Sequence, residues 1–441
     1  MAQTKSRSLV IVHLDSPVTR FLILLPALLT IFACWFVVPW YVANTVAEYA
    51  VASEEDALEM ARLAERWAPS DPFPHWQVAA LTEKSFNAIN LAEAVREYQL
   101  AATSSPYDYR YWMELADGLE AAGDQAGSER AFRRAVELAP AYAQPHWFLG
   151  NLLLRAGKLD EGFQEVRRAA IADDQMRPQL LNLAWQVFNG DVDQIARAAC
   201  PTPDLRIQLA TYLMGRNKVD DAMRVWSALS ANDRVQNPPL ANDLKQALLK
   251  ANQFKASLQI TRDTEPNAPA PEQIWDGGFE VRLSASVGRP FYWAVTSRPQ
   301  AEINLDADRP HSGRYCLRIL FSVPNKLESI SVMQTVVVQP NAQYRFEGFV
   351  RTRNLNSGST PQIAMLDAAD DSMLGQSAPA PTGNSDWQKI SFDFKTRPAT
   401  QAVKLSIYRP PCGEAQLCPI FGNLWYDDFN IQRSSGTGPA R

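Results

Sequence analysis

The sequence is short of the residues that usually carry chemistry. Of 441 residues only 4 are His and 5 are Cys, and the 20 Gly are outnumbered by 30 Pro. It contains no G-x-S-x-G, no H-E-x-x-H and no phosphate-cradling G-x-x-x-x-G-K run, so the common nucleophile, zinc-protease and nucleotide motifs are excluded. Basic charge is scarce too: 43 Lys+Arg against 48 Asp+Glu leave a net charge of -5, with no Lys/Arg-rich stretch. That rules out a nucleic-acid partner bound by counterion release. A mean hydropathy of -0.24 rules out a multi-spanning membrane protein. Yet 21% charged and 10% aromatic residues are ordinary for foldable sequence. At roughly 150 residues per domain the length points to about three units.

The one long apolar run is 21–43, FLILLPALLTIFACWFVVPWYVA, without a charge. At about 1.5 Å per residue it spans roughly 30 Å of hydrocarbon. Lys5, Arg7 and Arg20 precede it, while Glu48, Glu54, Glu55, Asp56 and Glu59 follow. The positive-inside rule therefore keeps a tail, 1–20, in the cytoplasm and exports everything beyond residue 44. Trp35, Trp40 and Tyr41 are placed for the headgroup level, and Pro26 and Pro39 are tolerated inside a span. The competing reading is a signal peptide cut after Ala43 or Ala47. The run is longer than the usual h-region of roughly 7 to 15 residues, which favours an anchor. Either way the expected location is the bacterial inner membrane, single-pass, with the bulk of the chain periplasmic.

Residues 44–261 are rich in Ala, Leu and Glu, and apolar positions recur at helical spacing. Shifted by 34, the stretch matches itself. Trp112, Leu115, Ala116, Leu119, Gly123, Ser128, Phe132 and Ala135, closed by Pro140, align with His146, Leu149, Gly150, Leu153, Gly157, Gly162, Val166 and Ala169, where no proline follows at the matching position. One period back lie Leu81, Ala94, Tyr98, Ala101 and Pro106. This pattern resembles the tetratricopeptide repeat, in which small residues bring helix A against helix B and a proline closes the unit. Register is lost near Cys200-Pro201-Thr202-Pro203, and a last pair at about 240–260 is read as a cap. The resemblance implies an α-solenoid whose groove binds a protein, with Met113, Asp117, Trp147 and Asn151 facing it. Ordinary packing or surface duty is the competing reading for each of the four.

A Pro-rich stretch, 262–274, reads as a semi-rigid linker. Short alternating β-branched and aromatic segments follow at 315–321, 330–338, 343–351, 387–394, 402–409 and 424–431, separated by turn residues, which indicates an antiparallel β-sandwich over 275–433 and a short tail, 434–441. Asp276-Gly277-Gly278-Phe279-Glu280, Trp293, His311-Ser312-Gly313-Arg314-Tyr315, Gln334 and Trp425-Tyr426-Asp427-Asp428-Phe429 resemble the carbohydrate-binding-module jelly roll, which is galactose-binding-like in fold. The resemblance implies a calcium ion on Glu280 with Asp427 or Asp428; turn-capping carboxylates are the alternative. It also implies aromatic faces for sugar, with Tyr292, Trp293, Trp387 and Tyr408 as candidates. A core role competes for Trp293 and Trp387. Jelly rolls of this type also serve as structural or protein-binding modules.

Cys412 and Cys418 bracket a short loop, and in an oxidising compartment they are expected to pair. His75 and His146 share a Pro-His-Trp context, which points to a structural duty. An array and an accessory module leave no room for a catalytic domain. The expectation is therefore a non-enzymatic, membrane-anchored scaffold that supports synthesis, export or attachment of an envelope polysaccharide. A pure protein assembly scaffold and a glycan-active enzyme are the alternatives.

Overall fold

A computed structural model describes residues 17–50, 56–84, 88–281, 283, 289–296, 300–324, 331–412 and 417–434. The tail read as 1–20 lies outside these up to residue 16, and the tail 434–441 lies outside them from residue 435. The chain divides into two compact units, Met1–Gly190 and Asp191–Arg441.

In the first unit, α1 is one continuous helix over Pro17–Ala50, with Pro26 and Pro39 inside it. Its stretch Leu24–Tyr49 is long and apolar enough to cross a membrane. The far end does not stop at the apolar run. Ala43 and Ala47 are fully buried in a cluster with Ala64 and Ala68, against Val46 and Phe73. Gln77 Nε2 donates to the Ala47 carbonyl (2.6 Å), and Asn44 Nδ2 donates to the Asp71 carboxylate (2.9 Å). Small side chains every fourth residue let this helix lie close against α2 (Ala57–Trp67) and α3 (Pro72–Glu83), so α1 is part of the helical array.

The array continues through α4 (Ala88–Ser104), α5 (Tyr109–Ala121), α6 (Gln125–Leu138), α7 (Ala143–Arg155), α8 (Leu159–Ala172) and α9 (Arg177–Val187). Aspartates start several of these helices: Asp71 accepts from Phe73 N, Asp108 from Arg110 N and Asp124 from Gly127 N. α5 and α7 end at Gly123 (φ 85°) and Gly157 (φ 77°), one 34-residue period apart, where the turn into the next helix needs left-handed backbone. Phe132, Tyr98, Leu149 and Leu153 fill the core between successive pairs. The prolines have a second use. The carbonyls of Pro69, Pro106 and Pro140 each meet a ring nitrogen six residues on, His75 Nε2 (2.9 Å), Trp112 Nε1 (3.1 Å) and His146 Nε2 (3.0 Å).

The second unit opens with α10 (Val192–Ala198), α11 (Pro203–Met214), α12 (Val219–Ser227), α13 (Ala231–Gln236), α14 (Pro238–Lys250) and α15 (Phe254–Thr264). Strands follow: β1 (Ala294–Thr296), β2 (Ala301–Asp306), β3 (Cys316–Val323), β4 (Ser331–Val337), β5 (Gln343–Ser357), β6 (Gln362–Asp367), β7 (Met373–Gln376), β8 (Gly383–Lys395), β9 (Ala402–Tyr408) and β10 (Ile420–Arg433). They form two antiparallel five-stranded sheets, ordered β1-β4-β9-β6-β7 and β2-β3-β10-β5-β8. Phe279, Trp293, Phe321, Tyr344, Phe346, Leu405 and Tyr426 are among the side chains packed between them. The helices are tied to this sandwich: Phe254 and Leu258 of α15 bury against Phe291, Tyr292, Val337 and Ala402. The 262–274 stretch is fastened to both. Glu265 accepts from Lys245 Nζ (3.0 Å), Tyr292 OH (2.7 Å) and Arg289, while Glu272 N donates to Val337 O (2.8 Å).

Candidate functional site

The outer face of the β2-β3-β10-β5-β8 sheet carries the candidate site. Along β5, Phe346 and Val350 point into the core, so Phe349 and Arg351 point out. Along β10, Leu424 and Tyr426 point in and Trp425 points out. Register places Trp425 directly between Arg351 of β5 and Arg318 of β3. The result is a ladder of rings and guanidinium groups. His311 stacks on Phe349 (3.6 Å between ring centres) and meets Trp387 of β8 edge-on (5.8 Å). The Arg351 guanidinium lies 5.2 Å from the Trp387 ring centre and 4.3 Å from that of Trp425.

Beside this ladder runs a polar groove of about 550 Å³, lined by Arg309, Arg351, Arg353, Asn354, Asn384 and Asp386 among others. The indole N–H groups are spent on the protein. Trp387 Nε1 donates to Arg309 O (3.1 Å) and Trp425 Nε1 to Asp306 Oδ2 (2.8 Å), so the rings offer faces and edges rather than donors. Burial opposes ionisation of Asp306. The Trp425 and Asp308 N–H groups, with Arg318 and Arg351, outweigh it and hold the carboxyl below its ordinary value.

The four aromatic residues named from sequence do not converge. Trp387 is half-buried on the outer face just described. Tyr408 is half-buried on the other sheet, its OH donating to Gln362 Oε1 (2.8 Å) and Gln376 Oε1 (2.6 Å). Trp293 is 2% exposed, stacked on Phe279, and Tyr292 is 6% exposed under Arg289 and against Trp275. These two are packing residues that line a separate cavity of about 370 Å³ beside Glu265.

On the array, Met113 is a core residue, because its position turns it toward Tyr98, Phe132 and Leu149 and not to the open face. Asp117 is exposed, and Trp147 and Asn151 are half-buried, with Asn151 Nδ2 donating to Trp147 O (2.8 Å). Asp117 lies among acids: partial withdrawal from water, then Glu114, Glu120 and Glu83, push its carboxyl up to about 7.

No family model matches the chain, and no curated protein matches it. Solved structures that match include one described as "CBM4 structure and function" (14% identity, 36% of this chain and 99% of that one, TM-score 0.28). Another is "MamA 41-end from Desulfovibrio magneticus RS-1" (13% identity, 43% and 92%, TM-score 0.29). A third is YrrB, described as a TPR protein with an unusual peptide-binding site (13% identity, 46% and 89%, TM-score 0.24). Repeat proteins and jelly rolls are thus both among the chain's structural neighbours. The helical repeats and the two antiparallel sheets are established by the chain's own elements.

The carboxylates expected to hold calcium have other partners. Glu280 Oε1 accepts from Arg314 N (2.7 Å) and Tyr315 N (3.3 Å). Asp427, fully buried, accepts from His311 N (2.8 Å), Ser312 N (3.2 Å) and Asp428 N (2.8 Å). Asp428 accepts from Ser312 OH (2.7 Å) and pairs with His311 Nδ1 (2.6 Å). Calcium takes lone pairs from about six to eight oxygens, whereas here N–H and O–H hydrogens point at the carboxylates. As placed, the set does not fit the ion. It pins the 311–315 turn to β10. The unfolding midpoint in calcium is accordingly expected to equal that in EDTA; a midpoint that rises with calcium would put a cation there.

Among the described residues one group of three metal-type ligands converges, Glu65, His75 and Glu97, with atoms within 4.8 Å of one another. His75 Nδ1 lies 2.8 Å from Glu97. His146 repeats the arrangement with Glu165 alone (2.6 Å), which makes it a recurring packing device of the array.

Cys412 and Cys418 form a disulfide. Sequence reasoning passed over Arg351, Arg353 and Asn384. Nothing in a strand's alternation says which face is open, and only register brings Arg351 opposite Trp425.

Proposed function

We propose that this chain is a membrane-anchored periplasmic scaffold, with repeats that hold a protein partner and a β-sandwich that takes a saccharide. It serves the synthesis, export or attachment of an envelope polysaccharide by binding, without turnover. The observation that carries the glycan arm is the outer sheet face, where the half-buried Trp387 ring and a hydroxyl- and amide-lined groove lie side by side. Sugar recognition asks for that pairing of a flat apolar face with convergent polar groups.

The anchor reading is supported by the junction between α1 and the array. A signal peptidase cut after Ala43 or Ala47 would remove or expose fully buried residues and the carbonyl that Gln77 holds. The protein arm is supported by the acidic face of α3 and α5, where Glu83, Glu114, Asp117 and Glu120 gather. A partner presenting a basic segment is favoured there.

The test uses the full chain in lipid nanodiscs, with a panel of bacterial polysaccharides and a pull-down from envelope extract. Polysaccharide binding that is lost in Trp387→Ala, with protein capture retained, is the expected result. Protein capture without polysaccharide binding would leave a pure assembly scaffold. Shortening of the bound polysaccharide, abolished by changing one acidic residue, would make the chain an enzyme.

A further inference from the structure

Arg351 is 5% exposed, and no carboxylate lies within ion-pair distance of its guanidinium among the described residues. Its Nη2 donates to the Asp308 carbonyl (2.6 Å), and its buried Nε has no partner. A guanidinium keeps its charge when buried. Burying such a charge without a paired anion is unfavourable. Two indole faces offset part of this through cation–π contact, with centres 4.3 and 5.2 Å away. What they cannot supply is negative charge.

The groove supplies an opening for it. Arg351 lines the groove with Arg309 and Arg353, opposed by Asp308 and Asp386. Asp308 is held toward Arg309, at 4.0 Å, and Asp386 accepts from Trp387 N, so neither carboxylate is spent on Arg351. Arg353 is exposed and has no ion-pair partner among the described residues. With Asp306 behind Trp425 and its neighbour Arg318 counted as well, four cations face three carboxylates, which leaves room for a single negative charge. The remaining polar lining is neutral: Thr352 Oγ1 and Ser385 Oγ lie 3.0 Å apart, and Asn384 Oδ1 accepts from Asn354 N (2.7 Å).

We infer that the groove takes an acidic saccharide, a uronic-acid unit whose carboxylate meets Arg351 and Arg353 while its ring lies against Trp387. The inference rests on the saccharide reading above and narrows it to a charge class. A carboxylate suits the planar guanidinium fork, and a monoanion suits the charge balance. A hydroxyl-rich ring suits the amides and hydroxyls that line the rest.

The test is calorimetric titration of the full chain in nanodiscs with four probes: oligogalacturonate, oligomannuronate, the carboxyl-reduced neutral oligomer made from the first, and inorganic phosphate. The uronate oligomers are expected to bind, and the reduced oligomer to bind at least tenfold more weakly. Arg351→Gln is expected to abolish the preference, and Arg353→Gln to weaken it several-fold. Should Arg351→Gln fail to fold, the exposed Arg353→Gln and the reduced oligomer still decide. Equal binding of acidic and reduced oligomers would overturn the inference and leave the saccharide reading standing. Absence of binding in every arm, with neutral polysaccharides also unbound, would overturn both. Displacement of the uronate by phosphate at equal concentration would reassign the groove to a phosphate group.

Discussion

Gly277→Ala is expected to unfold the sandwich, while Gly278→Ala next to it is tolerated. A Cβ on Gly277 would lie 2.0 Å from the Phe429 carbonyl oxygen and 3.0 Å from its carbon, both backbone atoms. Neither can rotate away. Phe429 N donates to Gly277 O (2.8 Å), and β10 is already bent at this point, where its register with β5 shifts between Asp427 and Asn430. The 276–281 segment is held from its own side, since the Asp276 carboxylate accepts from Glu280 N (2.8 Å) and Val281 N (3.0 Å). To admit the methyl, that segment would have to move off β10. Phe279 and Trp293, both packed on Phe429, would then lose their cover. Overpacking usually costs about 1 to 3 kcal/mol, and here a lost backbone bond and exposed aromatics add to it, so at least about 3 kcal/mol is expected. A Cβ on Gly278 meets only Asp428 Oδ1 at 3.7 Å and Glu280 at 3.9 Å, ordinary contacts, and less than about 1 kcal/mol is expected. Urea unfolding followed by tryptophan fluorescence compares the two. Equal midpoints for both variants would show that this approach of the two backbones is not needed.

The same residues show what can be read from a sequence. The Asp-Gly-Gly-Phe run and the closing Asp-Asp-Phe are visible as motifs because a steric requirement leaves one residue type at Gly277. The 34-residue period is visible because Pro106 and Pro140 close units, and Gly123 and Gly157 take positive φ, one period apart. Strands with one open face, such as β3 and β5, show alternation, and their segments were legible. β6 is not, since Gln362, Ile363, Ala364 and Met365 are all buried and leave no alternation to see. β1 is only 3 residues long. The site was the least legible part. Of the residues weighed for sugar, Trp387 lies beside the groove, next to Arg351 and Asp386, while Trp293 matches the family pattern because it is core. Arg351 is bracketed by ordinary strand residues, and its lack of a carboxylate at ion-pair distance is a fact of three dimensions. Likewise no spacing could tell that Ala43 and Ala47, at the end of the apolar run, serve as packing surface for the first repeat.

His146→Ala is expected to destabilise the first unit by about 1 to 3 kcal/mol, the cost of leaving buried polar groups without a partner, since Arg168 (2.7 Å) still pairs with Glu165. Both ring nitrogens meet oxygens, Nδ1 the Glu165 carboxylate (2.6 Å) and Nε2 the Pro140 carbonyl (3.0 Å). Only an imidazolium donates from both. The hydrogen bond to Glu165 accordingly raises the His146 pKa, against the opposing effect of burial and with help from the Pro140 carbonyl. For Glu165, burial alone would raise the value, but the His146 bond and Arg168 leave it lowered. A raised histidine contributes stability that is complete below its unfolded value of about 6.5 and fades as pH climbs through the folded one. A lowered carboxyl contributes stability that is present above its unfolded value of about 4.3 and fades as pH falls through the folded one. The pair is therefore at full strength between about pH 4.3 and 6.5, and stability should decline on the alkaline side. In His146→Ala the midpoint should drop and this alkaline decline should shrink. The double variant His146→Phe/Glu165→Leu removes both charges together, so it should recover much of the loss while keeping the flatter profile. Chemical unfolding of the full chain followed by circular dichroism from pH 5 to pH 9 reads both quantities. A single variant that unfolds with the parent's pH profile would show that the alkaline dependence lies elsewhere, and a double variant as weak as the single would show that the ring's shape, not its charge, holds α7 to α8.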